Sequence, residues 1–295
     1  MGVKLVGIYK EVKGKINGGL PTYLITKDLL ETLERKYGYN INDDMQKQLS
    51  SLQEEFVQKF WEAAKLPNRI ERYELDASEL SAELENVIRD NCKTPLISLD
   101  RVYIQNGSSF QMVNDFLDVT RRTDPITGAV TLEERPGSRP LIEQIVYLRN
   151  HHSEVSLADV GSFTGDTLLK IIKWLENEGI SVKQVYLSVA GKGVEAKLKD
   201  TNVEVITVYG ANFYEWIELR DLLGIDGRAV GLSSEGYRLY IPYCENLTEW
   251  ASIPEESVEP VKEICQSYYK AIMQLLRGNG SDISKIGRIV EYKKR

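Results

Sequence analysis

The sequence predicts an α/β fold in which a parallel sheet forms the core, between a helical N-terminal region and a C-terminal extension. Two observations predict it. Strand-like and helix-like apolar patterns alternate across residues 154–209, and apolar residues recur at three- and four-residue steps through much of the N-terminal region. We therefore expect a mostly helical region at 1–93, an α/β core at 94–232 and a strand-and-helix extension at 233–295.

The N-terminal region is predicted to contain three helices. The first is a short amphipathic segment at 29–33 that ends at Gly38. The second begins after Asn42, a residue type that caps helix N-termini, and its apolar face continues to Ala63. The third spans 78–90. None of the three carries a chemical motif, so we expect their apolar faces to pack in a core.

The core region is predicted to begin with two strands, at 96–105 and 111–119. A polar stretch at 120–140 follows, and its Asp-Pro, Thr-Gly and Pro-Gly pairs are typical of turns. We expect an exposed loop or a hairpin there, and then a helix that ends near Asn150.

The most regular pattern lies in the middle of the chain. Strands are predicted at 154–159, 182–190 and 203–209, and helices between them at 164–178 and 194–200. Strands that alternate with helices at this spacing require right-handed crossovers and a parallel sheet. The extension that follows is predicted to hold a strand and a last helix; their expected ranges are 237–243 and 259–276.

Composition excludes several classes of protein. The 37 Lys and Arg residues against 44 Asp and Glu residues give a net charge of −7, which is unfavourable for bulk nucleic-acid binding. No apolar run approaches the roughly 18 residues that span a bilayer, and no signal peptide is evident at the start. Three distant Cys and two adjacent His indicate neither a disulfide framework nor a zinc site. We expect a cytoplasmic protein.

One segment, at 155–168, combines a strand, a turn of glycine and small polar residues, and a helix start. Ligands of open parallel sheets bind beyond the carboxyl ends of the strands, and a helix N-terminus attracts anions. Gly165 permits close backbone approach, and Thr164 and Thr167 offer hydroxyl donors. Asp159, at the expected strand end, can accept from sugar hydroxyls or hold a cation. The segment predicts a small anionic or nucleotide-like ligand.

This segment resembles the phosphoribosyl pyrophosphate (PRPP) loop of the type I phosphoribosyltransferases. Asp159 matches the family's first acid, and Thr164-Gly165-Asp166-Thr167 matches its Thr-Gly-x-Thr motif. The resemblance implies that Asp159 binds ribose hydroxyls and that Phe163 to Thr167 hold the 5-phosphate. It also implies that Mg²⁺ accompanies PRPP, and Asp159 is the protein group that would hold the ion. The implied reaction is transfer of a phosphoribosyl group to or from a nitrogenous base.

The resemblance extends loosely over residues 94–209. Arg101 follows a strand start where the family has its pyrophosphate loop, so it is the second predicted catalytic residue beside Asp159. The loop at 120–139 matches the family's mobile loop, which would offer arginines to pyrophosphate; these are Arg121, Arg122, Arg135 and Arg139.

A substrate pocket is predicted from arginines and an aromatic residue near the end of the core. Guanidinium forks suit phosphates and carboxylates, and an indole can stack on a base. The predicted pocket residues are Arg139, Trp216, Arg220, Asp221 and Arg228. For the arginine and aspartate pairs, structural ion pairs that bracket a turn are the alternative interpretation. For Trp216, the alternative is packing against a helix face.

Departures from the family pattern leave other functions open. Val160 replaces the second acid, and Phe163 stands where some members carry an acid that acts on the base. These changes favour a non-catalytic sensor of PRPP or a nucleotide. Residues 159–165 also resemble the first motif of S-adenosylmethionine-dependent methyltransferases, although Phe163 replaces the central glycine and 187–190 lacks the expected acid. A plain structural turn is the remaining alternative. The expected binding partner is a small nucleotide-type molecule. The sequence leaves open whether the chain forms a homodimer.

Overall fold

A computed structural model describes residues 9–104, 113–124, 127–135, 137–230 and 239–286. The chain divides into two compact units, each built from three stretches of sequence. Unit 1 comprises Met1–Thr22, Ala77–Thr120 and Leu132–Tyr214. Unit 2 comprises Tyr23–Asp76, Arg121–Thr131 and Glu215–Arg295. The three consecutive domains expected from the sequence stay a prediction.

Strands and helices alternate along most of the described chain. The strands are β1 (Tyr9–Glu11), β2 (Pro21–Lys27), β3 (Glu71–Asp76), β4 (Leu96–Ser98), β5 (Asp115–Phe116), β6 (Val119–Thr123), β7 (Val130–Glu134), β8 (Glu154–Ser162), β9 (Ser181–Gly191), β10 (Glu204–Glu218), β11 (Arg228–Val230) and β12 (Leu239–Ile241). The helices are α1 (Leu29–Glu31), α2 (Asp43–Ala64), α3 (Ala77–Asn91), α4 (Leu141–His151), α5 (Asp166–Asn177), α6 (Lys192–Leu198), α7 (Leu219–Leu222), α8 (Leu247–Trp250) and α9 (Val258–Gly278).

Unit 1 is an α/β structure on a parallel sheet, as the sequence predicts. Its strand order is β10-β9-β8-β4-β5, and β1 pairs with β10. Each of the pairings of β10 with β9, β9 with β8, β8 with β4 and β4 with β5 is parallel. One apolar cluster joins the buried side chains of β8 and β9 to those of α4 and α5, among them Leu157, Leu187, Ile145 and Ile172. The carboxyl ends of β8, β9 and the 204–214 part of β10 therefore meet at one edge of the sheet.

Unit 2 combines strands with two long helices. Helix α2 begins after Asn42, whose side chain accepts a hydrogen bond from the Met45 N–H at 2.9 Å. It packs against α9 through Phe56 and Tyr268, whose ring centroids lie 5.5 Å apart. Strand β2 lies between β3 and β10 and pairs with both. The 215–218 part of β10 belongs to this unit. Strand β11 lies between β12 and β6 in a smaller sheet.

Three strands in the first 93 residues, β1, β2 and β3, differ from the mostly helical expectation. The helices α2 and α3 lie where the sequence predicts them, and the first helical segment is α1 followed by a π-helical turn at Thr32–Lys36. Strand β2 was not expected, although its residues Tyr23, Leu24 and Ile25 are fully buried, as in a central strand. Strand β3 is polar and gives little periodic pattern.

Other elements differ from their predicted bounds for local reasons. Strand β4 ends early because the Asp100 carboxylate accepts hydrogen bonds from the N–H groups of Val102 and Tyr103, at 2.6 and 2.9 Å, which closes a turn. The stretch at 120–140 contains a hairpin of β6 and β7, closed where Asp124 N–H donates to Ala129 O at 2.8 Å. Parts of the predicted strands at 96–105, 111–119 and 237–243 lie outside the described residues. None of the described helices is long and apolar enough to cross a membrane.

We predict that Gly191→Ala destabilises the fold by about 1–3 kcal/mol, because overpacking forces neighbouring backbone to shift. A Cβ on Gly191 would lie 2.2 Å from the carbonyl oxygen of Phe163. Urea unfolding measures the change. The matched control is Gly193→Ala, whose nearest neighbour, Thr164 Cα, would lie 3.3 Å away. Equal stability of the two variants would contradict the prediction that the fold depends on the close contact between Gly191 and the Phe163 carbonyl.

Candidate functional site

The candidate site is the turn between β8 and α5. Strand β8 continues to Ser162, three residues beyond the predicted end, so Asp159 lies inside the strand and pairs with Leu187 of β9. The turn consists of Phe163, Thr164 and Gly165. Gly165 has φ +84°, and a Cβ there would lie 3.3 Å from the Cα of Val194. Both the backbone conformation and the crowding restrict this position to glycine.

Polar groups of the turn are joined to one another and to α6. The Thr164 hydroxyl donates to Asp166 Oδ2 at 2.7 Å, and the Gly165 N–H donates to the Ser162 hydroxyl at 3.2 Å. Lys197 Nζ lies 2.6 Å from Asp166 Oδ1. The hydrogen bond from Lys197 holds the pKa of the Asp166 carboxyl below its ordinary value. The negative charge that Asp166 brings to the turn is therefore balanced by Lys197, a residue that sequence reasoning missed because its partner depends on how α6 packs.

Alternation along β8 separates Asp159 from Val160. Asp159 and Gly161 are half-buried on one face of the strand, whereas Val160 and Ser162 are buried on the other. Asp159 Oδ1 accepts a hydrogen bond from the Val160 N–H at 2.9 Å. A carboxylate in place of Val160 would be desolvated, which explains in physical terms why an apolar residue suits this position.

Phe163 presents an aromatic ring at the edge of the sheet. Its side chain is 39% exposed, and the ring stacks on Phe213 of β10 with centroids 5.1 Å apart. Both residues pack closely against Gly191. A Cβ added there would lie 2.2 Å from the Phe163 carbonyl oxygen and 3.1 Å from the Phe213 ring. Asp166 and Thr167 follow as the first residues of α5, where N–H groups lack partners within the helix. The structure thus brings Phe163 to Thr167 together as one turn.

Arg101, the other predicted catalytic residue, is engaged by Asp118. Its Nε and Nη2 donate to the two carboxylate oxygens at 2.6 and 2.7 Å, and its guanidinium lies 4.2 Å from the Phe116 ring centroid. Burial opposes ionisation of Asp118, yet hydrogen bonds from Arg101 bring the pKa of that carboxyl below its ordinary value. Asp118 and Phe116 lie on the β5 side of β4, whereas β8, which carries Asp159, flanks β4 on its other side. The catalytic role of Arg101 stays a prediction.

The residues of the predicted substrate pocket are divided between the two units. Arg139 belongs to unit 1, where it lines a cavity of about 390 Å³ together with Arg101. Trp216, Arg220, Asp221 and Arg228 belong to unit 2. The pocket role of these five residues stays a prediction.

Arg220 is the centre of a buried charge cluster in unit 2. It is 3% exposed, with Nε 3.3 Å from Asp28 Oδ2 and Nη2 2.7 Å from Glu218 Oε1. Its backbone N–H also donates to Asp28 Oδ1 at 3.0 Å, and Lys36 forms an ion pair with Asp226. This geometry agrees with the structural interpretation of the arginine.

Carboxylates in this cluster are held in a poorly solvated environment. Burial, followed by the nearby charges of Glu218 and Asp226, raises the pKa of Asp221 to about 7. Burial likewise raises the pKa of Asp28 well above its ordinary value, against the opposing charge of Arg220. For Asp28 and Asp221, desolvation outweighs the nearby cations and raises the pKa of each carboxyl.

Trp216 and Arg228 pack against other groups of unit 2. The Trp216 indole donates to Thr26 Oγ1 at 2.8 Å. The Arg228 guanidinium lies 5.3 Å from the Tyr243 ring centroid and 5.1 Å from that of Trp250, which are cation–π distances. Among the residues that the structure describes, no three His, Cys, Asp or Glu side chains are placed to hold a metal ion. Magnesium binding through Asp159 stays a prediction.

No protein-family model and no curated protein matches the chain. Among solved structures, it is similar to the orotate phosphoribosyltransferase of Mycobacterium tuberculosis H37Rv in complex with PRPP, with 10% identity over 45% of this chain and 72% of that chain. It is also similar to the adenine phosphoribosyltransferase of Thermoanaerobacter pseudethanolicus, with 13% identity over 45% of this chain and 78% of that chain. Both TM-scores are 0.29.

We predict that the free energy of unfolding declines as the pH rises from about 4 to 7, in part because of Asp221. The folded state keeps a proton on this carboxyl up to a pKa of about 7, whereas the unfolded state loses it near the ordinary value of 3.8. The stabilisation is therefore complete below the unfolded pKa and lost as the pH rises through the folded one.

The measurement is urea unfolding of wild type and Asp221→Asn across this pH range. The asparagine variant, which cannot titrate, should show a shallower decline. Asp166→Asn is the control: the pKa of Asp166 is lowered, so its contribution changes only at more acidic pH. An unchanged pH dependence in Asp221→Asn would contradict the prediction.

Proposed function

We propose that the chain binds a phosphorylated ribose, either PRPP or a nucleotide, at the β8–α5 turn. The observation that carries the proposal is the construction of the turn: Gly165, in the left-handed conformation, leads directly into the 12-residue helix α5 at the carboxyl edge of a parallel sheet. Helix N-termini at this edge are ordinary binding places for phosphate groups.

The electrostatics of the turn support an anionic ligand. Asp166 would repel a phosphate if its charge stood alone, but its carboxylate lies against Lys197. The N–H groups of the first turn of α5 then supply a positive end to the helix dipole without an opposing free charge. The Thr164 hydroxyl, on an exposed residue of the turn, adds a group that can rotate toward a phosphate oxygen.

Asp159 supports the ribose part of the proposal. Its carboxylate lies on the half-buried face of β8, four residues before the turn begins at Phe163. A carboxylate accepts hydrogen bonds from two neighbouring sugar hydroxyls, and it would also favour a positive charge that develops on the ribose ring. If Mg²⁺ accompanies the ligand, Asp159 is the carboxylate of the turn region suited to it, and the ion would neutralise phosphate charge.

A binding protein without turnover is the second candidate function, and Val160 and Phe163 favour it. Val160 is buried, so the position of the second acid offers no group to a ligand. Phe163 has an apolar ring at the position where an acid would act on a base. Release of pyrophosphate from PRPP across a panel of bases would distinguish transfer from binding alone.

We predict that Thr164→Ala weakens binding of ribose 5-phosphate by roughly 10- to 100-fold, the effect of one hydrogen bond to a charged group. Isothermal titration calorimetry measures the affinity. Thr201→Ala is the matched control, because the Thr201 hydroxyl donates to Leu198 O at the far end of α6. Unchanged affinity in Thr164→Ala would count against the turn as the phosphate site.

We predict that Asp159→Asn weakens ribose 5-phosphate but leaves the affinity for inorganic phosphate within about twofold, because the carboxylate is assigned to the sugar hydroxyls. The same titrations with both ligands measure the difference. Equal loss for the two ligands would mean that Asp159 acts on the turn as a whole and would remove the ribose assignment.

A further inference from the structure

The Asp166 carboxylate engages two side-chain donors at the β8–α5 turn. Its Oδ2 accepts a hydrogen bond from the Thr164 hydroxyl at 2.7 Å, and its Oδ1 lies 2.6 Å from the ammonium nitrogen of Lys197. Asp166 is the first residue of α5, whereas Lys197 lies near the end of α6. One carboxylate therefore holds a hydroxyl of the turn and a cation of the next helix.

The position of Lys197 is fixed by packing as well as by the ion pair. A Cβ added to Gly165 would lie 3.1 Å from the Cβ and 3.3 Å from the Cγ of Lys197, so the base of the lysine side chain lies directly against the turn. The Cα of Val194, a fully buried residue one turn earlier in α6, would lie 3.3 Å from the same added atom. The ammonium group therefore remains within reach of the start of α5 when it leaves Asp166.

The contacts of Asp166 are accessible to water. The side chain of Asp166 is 57% exposed and that of Lys197 is 39% exposed, and Thr164 is also an exposed residue. Exposed ion pairs contribute little to stability, because water solvates each separated partner well. A ligand can therefore replace the carboxylate on these donors without a large loss of folding free energy.

A phosphate bound at this turn requires the donors that Asp166 engages. The N–H groups at the start of α5 are backbone donors for an anion, and the Thr164 hydroxyl and the Lys197 ammonium group are the side-chain donors beside them. The hydroxyl has one proton to donate, so it cannot serve the carboxylate and a phosphate oxygen together. Asp166 is thus an internal anion at the place where the proposed function puts an external one.

We propose that Asp166 is an intramolecular competitor of the phosphate ligand: on binding, the Thr164 hydroxyl and the Lys197 ammonium group leave the carboxylate and contact the phosphate. This inference rests on the function proposed for the turn and adds a regulation of that site. The exchange breaks and forms only non-covalent contacts. It lowers the affinity, because the ligand must displace one anion and then lies near a carboxylate that has lost its cation.

Two other roles of Asp166 predict different results. If the carboxylate orders the turn for the ligand, removal of its charge weakens binding. If it acts on the ligand through its charge alone, removal of the charge strengthens binding, but the gain does not depend on Lys197. The direction of the change and its dependence on the lysine therefore distinguish the three roles.

The test measures binding of ribose 5-phosphate and of inorganic phosphate to the full-length protein by isothermal titration calorimetry. The variants are Asp166→Asn, which keeps the size of the side chain but removes its charge, and the double variant Asp166→Asn with Lys197→Met. The matched control is Glu176→Gln, which removes one negative charge from an exposed residue about 15 Å farther along the axis of α5. Thermal unfolding confirms that each variant is folded.

We expect Asp166→Asn to bind both ligands about tenfold more tightly than wild type does, because its donors are released and a like charge is removed. The double variant should bind about tenfold more weakly than Asp166→Asn, since the released ammonium group contacts the phosphate. Glu176→Gln should bind as wild type does.

Equal or weaker binding by Asp166→Asn than by wild type would overturn the proposal and leave the phosphate site in place. A double variant that binds as tightly as Asp166→Asn would also overturn it, because the carboxylate would then act through its charge alone. An equal gain in Glu176→Gln would assign the effect to net charge and reject the competition. If neither wild type nor any variant binds either ligand, the proposed function fails and this inference fails with it.

Discussion

The close approach of Gly191 to the carbonyl of Phe163 is the constraint on which the candidate site depends. Parallel pairing of β8 with β9 continues to Ser162 and Ala190, which brings the two strand-to-helix turns together. A Cβ at position 191 would lie within 2.2 Å of the Phe163 carbonyl oxygen. Only a glycine allows the turns to meet, and their meeting places Lys197 of α6 on Asp166 of α5. The charge balance of the turn therefore follows from a packing requirement.

Ion pairs have different consequences in the two units because their burial differs. The pair of Lys197 and Asp166 is exposed, so it adds little to stability but neutralises a charge where an anion would bind. In unit 2, Arg220, Asp28 and Asp226 are nearly inaccessible to water, and desolvation raises the pKa of Asp28. Such buried groups depend on one another, and removal of one would leave its partner desolvated without compensation.

The sequence predicts the regular part of the fold well and the partners of charged residues poorly. The 3.6-residue periodicity of α2 and α5 and the apolar alternation of β9 are local patterns, so their positions could be predicted. The end of β8 could not, because Gly161 and Ser162 become strand only through pairing with β9.

The arginines of the predicted site show why residue type alone does not predict the partner of a charged group. A guanidinium suits a ligand phosphate and a carboxylate of the chain equally well, so residue type does not choose between them. Arg101 pairs with Asp118 and Arg220 with Asp28, which is 192 positions away in the sequence. Only the fold decides these partners. An arginine becomes evidence for a ligand only after the carboxylates of its own chain have been assigned.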